Sequence, residues 1–303
     1  MVKHFLGDSV AFQRWHSWYR TSRAFTRFKD HHTEVNRHYW SLVPVGSYGK
    51  YLQRHAAAGT TTAALFHASG PHAHRLEPLA GEWSKDFKEF ENWIRLSVLL
   101  SALSYLETYI STIITLAVRS DPLLRFGQSR AIDGVAWIKR SVTDDVSELV
   151  TGCVKGEWSK RLASYRKLFG GVPARLIALQ GNLDRMRNVR NGVAHSFGRD
   201  HTLFEDPLRI ADDSAERLPE PTLLAWLGNI EQAAIAIDEH LLPDHLGDFE
   251  LLWHFHRWRG LPRSEKEPKY AETTAFARFL NRSFGSAPDR EYCRQLGRYY
   301  DQL

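Results

Sequence analysis

Residues Arg190-Asn191-Gly192-Val193-Ala194-His195 place a permanent cation, a carboxamide and an imidazole within six positions. A guanidinium presents a planar fork of donors that matches two phosphate oxygens. An imidazole accepts and returns a proton near neutrality, and a carboxamide orients either group. Together these residue types can stabilise, orient and protonate at a phosphate. A fourth residue follows from helical periodicity. At about 100° per residue, Leu176, Leu179, Leu183 and Met186 fall in one stripe near 280° to 360°, and Arg190 lands inside it at about 320°. Counted from Trp93, Leu96, Leu100, Leu103, Ile110 and Ile114 form a second stripe, and Glu107 lands at about 320°. A charge on an apolar face is tolerated when it is paired and hydrogen-bonded. Glu107 and Arg190 are therefore expected to approach each other, within one chain or across a dimer.

A structural ion pair alone would satisfy that burial argument; the neighbours Asn191 and His195 add the catalytic reading. In a continuous helix, Arg190 and His195 stand about 140° apart. Either Gly192 breaks the helix, or the two side chains meet partners across a two-fold axis.

The elements that must hold these residues read as helices. Phe12, Trp15, Tyr19, Phe25 and Phe28 recur at mostly three- and four-residue steps, predicting an amphipathic helix from Asp8 to about Tyr39. Pro44, Gly46, Gly49, Gly59, Gly70 and Pro71 punctuate residues 43–81, which read as loops with short strands. A long helix is expected from about Ser84 to Val118, with a short one starting near Ser120-Asp121-Pro122. Trp158, Leu162, Tyr165 and Phe169 predict a helix over 157–169 closed by Gly170-Gly171. Pro173 opens the helix carrying Arg190, and another begins after Pro221 and stops at Pro243. Two shorter helices, 266–282 and 287–300, follow the capping patterns Ser264-x-x-Glu267 and Ser286-x-x-Asp289. Neither a βαβ signature, a G-x-G-x-x-G nor a P-loop occurs, so the fold reads as mainly α.

Composition narrows the partner. The chain has 303 residues, 43% hydrophobic and 25% charged, with two cysteines, Cys153 and Cys293. That excludes disordered, collagenous and disulfide-scaffold classes and any thiolate zinc finger. The net charge is +5. Residues 1–60 hold nine Lys and Arg against three acids, and nine of the 15 histidines precede residue 81. A polyanion such as nucleic acid suits that imbalance. Residues 96–118 are apolar and long enough to span a bilayer. Seven of these 23 residues are Ser or Thr, and Glu107 sits mid-span, which favours a buried core or dimer helix. With no signal-peptide pattern in the opening residues, a cytoplasmic protein with no membrane association is expected.

The Arg190–His195 hexapeptide resembles the R-x(4–6)-H motif of HEPN domains, in the form where a polar residue follows the arginine. Given 29 Arg, 15 His and seven Asn, an Arg-Asn-x(3)-His match arises by chance about 0.03 times in such a chain. Leu103-Ser104-Tyr105-Leu106-Glu107, the Trp158…Tyr165-Arg166-Lys167-Leu168-Phe169-Gly170 helix, and a later helix ending in His245-Leu246-Gly247…Glu250-Leu251 occur in the order of bacterial HEPN families associated with RNA cleavage. The resemblance covers about residues 84–250. It implies a HEPN-like helical bundle over 83–250, preceded by a basic, aromatic N-terminal region, 1–82, and followed by a C-terminal helical tail, 251–303. It further implies a homodimer with the motifs near the two-fold axis and metal-independent endoribonuclease activity without a cofactor. His195 would act as general acid or base, Arg190 would hold the scissile phosphate, and Asn191 would orient His195 or the phosphate. Glu107 would position Arg190 or His195. Attack by the substrate's own 2′-OH would leave a 2′,3′-cyclic phosphate and a 5′-hydroxyl on tRNA or another cellular RNA, and DNA would be inert. Family association suggests a role as a toxin or in anti-phage defence by abortive infection, restrained or activated by a protein partner. The alternative is a non-catalytic HEPN-fold module for RNA or nucleotide binding or for dimerisation.

Other features carry two readings each. Arg185, Arg187 and Arg199 flank the motif as RNA phosphate contacts or as solvated helix charges. His31-His32, His72-x-His74 and His254-x-His256 lack clustered acidic or cysteine partners and read as surface or packing residues rather than metal ligands. The aromatic N-terminal helix either stacks bases or packs its Trp and Phe face on the bundle. Cys153 and Cys293 read as ordinary free thiols.

Overall fold

The computed structural model describes residues 11–196, 216–262 and 270–303, with the side chains of 194–196 outside the described set. The described residues form eleven α-helices and no strand, with one isolated bridge between Thr61 and Leu79. The helices are α1 (Arg23–His55), α2 (Thr62–Leu65), α3 (Ala80–Ser120), α4 (Gly134–Lys139), α5 (Ser147–Val154), α6 (Trp158–Phe169), α7 (Ala174–Ser196), α8 (Glu220–Leu241), α9 (Phe249–Gly260), α10 (Glu272–Phe284) and α11 (Arg290–Gln302). The protein is mainly α.

The first helix departs from the expectation at both ends. It starts at Arg23 rather than Asp8, because Ser22 is its cap: Ser22 Oγ accepts from the Phe25 amide at 3.0 Å. Residues 11–22 run irregularly as a strap. Their polar groups find tertiary partners that a helix would have denied them. The helix then continues through Pro44 to His55, where loops were expected. Glycine and proline weaken an isolated helix, but tertiary packing outweighs local propensity here. Residues 121–127 form a 3-10 turn at Leu124–Phe126. The helix 157–169 and its Gly170 cap stand as expected, Gly170 having φ 76°. The helix expected to end near Leu251 instead begins at Phe249 and runs to Gly260. The expected caps of the last two helices also change. Ser264 and Glu267 lie outside the described residues, and Asp289, not Ser286, caps α11 by accepting from the Tyr292 amide at 2.8 Å.

The chain divides into two compact units, each discontinuous in sequence. The described residues of the first come from the stretches up to Thr26, from 108–177 and from 234–303. Its core is aromatic: Phe249, Phe255 and Trp258 of α9, Phe276 of α10 and Tyr300 of α11 are buried together. The strap is bound to this unit by charge-assisted hydrogen bonds. Arg14 bonds Asp133 at 2.7 and 3.0 Å, the Leu246 carbonyl at 2.7 Å and Ser120 Oγ at 2.8 Å. The Trp18 amide donates to Asp248 at 2.8 Å, the Ser22 amide to Asp238 at 3.1 Å and the Arg23 amide to Glu250 at 2.9 Å. Three buried carboxylates thus take up the backbone donors around the start of α1. At Gly247, with φ 49°, a Cβ would lie 2.3 Å from the Arg14 carbonyl oxygen, so only glycine lets the strap pass.

The second unit holds residues 27–107 and, from the later chain, 178–233. In α3, Leu96, Leu99, Leu103 and Leu106 step by three and four and are buried. The same helix is long and apolar enough to cross a membrane by length and composition. In this fold those leucines are covered by protein. Gly46 and Gly49 face α3 at close range: a Cβ would lie 2.8 Å from the Phe87 ring and 2.9 Å from Trp83. Glycine therefore sets how near α1 comes to α3 here. Lys50 and Glu91 close the contact at 2.5 Å. Toward α8, His32 Nε2 lies 3.1 Å from the Leu227 carbonyl, and Tyr39 donates to Glu220.

Candidate functional site

Helix α3 presents Glu107 and helix α7 presents Arg190 within the second unit. Arg190 Nη2 lies 3.3 Å from Glu107 Oε2, within one chain. The pair expected from the two stripes is therefore formed, with one correction. Neither charge is fully buried, since the side chains remain 33% and 27% exposed. The registers were right, but the apolar stripes are not closed over at this level, so water still reaches both groups. The contact is a single N–H···O approach rather than a bidentate fork.

The rest of the guanidinium is also partly committed. Its Nη1 donates to Asn191 Oδ1 at 3.4 Å, whereas its buried Nε has no hydrogen-bond partner among the described residues. Asn191 thus lies against Arg190, and its carbonyl oxygen is engaged there. An arginine held from one side, with a third of its surface open to solvent, can still meet an incoming anion.

Helix α7 runs without interruption through Gly192 to Ser196. A Cβ at Gly192 would meet none of the described residues within 4 Å. The first of the two alternatives, a break at Gly192, is thereby removed. His195 is helical, five positions and about 140° beyond Arg190, and its side chain lies outside the described residues.

Of the three flanking arginines, Arg185 is exposed on α7. Arg187 is turned back on its own helix, 3.7 Å from Asp184 and bonded to Asn188 at 3.1 Å. Arg199 lies outside the described residues. The histidine pairs separate into two groups. His32 is buried, and that burial depresses its pKa. His31 stacks on Tyr105 with centroids 4.7 Å apart, and His256 bonds Tyr300 at 2.7 Å. His72 and His74 face solvent. No group of three or more His, Cys, Asp or Glu among the described residues is placed to hold a metal.

The early aromatic residues turn out to pack. Tyr19 and Phe28 are buried, Phe12 meets Tyr292 edge-on at 5.5 Å, and Phe25 meets Tyr109 at 6.0 Å. Both cysteines are free and buried, and desolvation pushes each thiol up to about 12. Sequence reasoning missed the carboxylates Asp238, Asp248 and Glu250. Burial holds the last two near 7, the largest cause in each case being desolvation. For Asp238 and Glu250 the only signal was an acid in an otherwise apolar helix, which reads equally as a surface position, and Asp248 sits in the turn before α9, where an acid is commonplace. Comparison with protein-family models, with curated proteins and with solved structures returns no match.

Proposed function

We propose that the protein is an endoribonuclease of the HEPN type, in which Arg190 and His195 act on RNA in a site assembled from two copies of the chain. The observation that carries this reading is the Arg190–Glu107 contact, which holds the motif's arginine about one-third exposed beside Asn191 instead of sealing it in a core. The solvent-open part of Arg190 and the Arg-Asn-x(3)-His spacing together are what this reading requires of the site.

In this reading Arg190 neutralises the scissile phosphate and the charge that develops on it. Glu107 fixes the guanidinium from the side away from the substrate, acting as a positioning residue. His195 removes the proton from the ribose 2′-OH or delivers one to the leaving 5′-oxygen. The 2′-oxygen attacks phosphorus as the bond to the 5′-oxygen breaks, giving a 2′,3′-cyclic phosphate and a 5′-hydroxyl. No metal or cofactor enters that balance. Because α7 is continuous and its geometry sets positions 190 and 195 about 140° apart around the axis, each site draws its arginine and histidine from different copies. Arg185 adds a phosphate contact beside it.

The test incubates wild type, Arg190→Ala and His195→Ala with total cellular RNA in EDTA and maps the new ends. Cleavage by wild type alone, with 5′-hydroxyl and cyclic-phosphate ends, is expected. Equal cleavage by all three would remove the assignment.

A further inference from the structure

The C-terminal half of α1 shows solvent a face that the Arg190 site does not use. Counted from Arg37 at about 100° per residue, Trp40, Pro44, Tyr48, Tyr51 and His55 all fall within about 80° of one another. The structure leaves this face uncovered: Trp40 is 47% exposed, Tyr48 62% and Tyr51 50%. The reason is on the opposite side of the helix. Gly46 and Gly49 dock there on Phe87 and Trp83, which turns the aromatic residues outward. Large exposed aromatic side chains in a row are costly to leave in water and mark a binding surface.

The charge around them selects the occupant. From Val35 to Leu76 the sequence contains no Asp or Glu, yet it contains Arg37, Lys50, Arg54, Arg75 and five histidines. Lys50 is engaged by Glu91, whereas Arg37, Arg54, Arg75, His72 and His74 are exposed. Tyr48 and Tyr51 lie nearly parallel, 14° apart with centroids at 6.4 Å, and Tyr51 adjoins His55 at 4.3 Å. Flat rings interleaved with cations, on a stretch of chain that itself carries no carboxylate, match the bases and phosphates of an unpaired strand. A duplex hides its base faces and would gain only from the cations.

We propose that the Arg37–His55 face of α1 binds single-stranded nucleic acid, bases stacking on Trp40, Tyr48 and Tyr51 and phosphates meeting Arg37 and Arg54. This surface is separate from the Arg190 pair, and the inference concerns binding, so it stands or falls whether or not the protein cuts.

The test is fluorescence anisotropy on the full chain with a labelled 20-nucleotide RNA, a DNA of the same sequence and the two duplexes. An Arg190→Ala background keeps every strand intact. Trp40→Ala/Tyr48→Ala/Tyr51→Ala is expected to weaken single-strand binding by about 30-fold or more, with an unchanged melting temperature. Tyr48→Phe/Tyr51→Phe is expected to bind like its parent. Arg37→Ala/Arg54→Ala is expected to flatten the salt dependence by about 1.4 in log–log slope. Tight binding of either single strand supports the proposal, and the RNA and DNA arms show whether the 2′-OH is read. No single-strand binding by the parent, binding within twofold of the parent in the triple alanine variant, or preference for duplex would overturn it. So would a triple alanine variant that binds unchanged but loses self-association, which would make this face a contact between copies.

Discussion

Arg190 on α7 and Glu107 on α3, 83 positions apart in sequence, meet at 3.3 Å with a quarter to a third of each side chain open to water. Such a pair contributes little to stability, because solvent screens it, on the order of 0 to 1 kcal/mol. Its consequence is positional. Glu107→Gln is expected to change the unfolding free energy by less than about 1 kcal/mol while slowing RNA cleavage about tenfold with KM nearly constant. Urea titration and single-turnover kinetics read the two effects separately. A large stability loss with unchanged cleavage would make the pair structural.

Gly192 offers a test of the continuous helix. Its Cβ position meets no described residue within 4 Å, and glycine inside a helix costs about 1 kcal/mol relative to alanine. Gly192→Ala is therefore expected to raise stability by about 0.5 to 1 kcal/mol and to leave cleavage intact. Loss of cleavage in a more stable protein would show that the motif needs a break at residue 192.

Gly247 should behave in the opposite way. Its φ of 49° and the Arg14 carbonyl 2.3 Å from a Cβ leave no room for a side chain. Gly247→Ala is expected to cost about 2 to 4 kcal/mol and to loosen residues 11–22, read as faster amide exchange at Trp18 and Ser22.

The buried acids set a pH dependence. Burial raises Asp248 and Glu250 from their ordinary values near 4 to about 7. The folded state then holds protons that the unfolded chain has lost. The contribution of these groups is full below about pH 4, declines as pH rises toward 7 and is constant above it. Asp248→Asn/Glu250→Gln, which keeps an acceptor for the Trp18 and Arg23 amides, is expected to gain on wild type steadily from pH 5 to 7.5. His254, held by burial near 4, acts the other way as pH falls below 6.5 in both proteins and so cancels in the difference. A wild-type-minus-variant stability that stays flat across this range would contradict the assignment.

Much of this was legible in the sequence where a single helix carries its own evidence. The stripes of α3 and α7 gave the Glu107–Arg190 meeting, and Trp158 to Gly170 gave α6 with its cap, because periodicity and capping are local. What stayed hidden depended on partners far along the chain. Nothing near Ser22 reveals that Asp238 waits to receive its own amide and Glu250 that of Arg23. Pro44, Gly46 and Gly49 read as loop punctuation because what holds the helix there, the close approach of Gly46 and Gly49 to Phe87 and Trp83, is set by a helix about 40 residues on. That misreading concealed the aromatic face as well, since Trp40, Tyr48 and Tyr51 align only if the helix continues. The 42-residue stretch without a carboxylate was the available signal.

The central claim, that Arg190 of one copy and His195 of another form one RNA-cleaving site, is tested most directly by a mixed dimer. Arg190→Ala and His195→Ala chains, differently tagged, are co-expressed, the heterodimer is isolated, and cleavage is compared with wild type and with each variant alone. Each variant alone is expected to be inert, and the heterodimer to retain one intact site and about half of wild-type activity. A heterodimer as inert as its parents, beside an active wild type, would contradict the shared site.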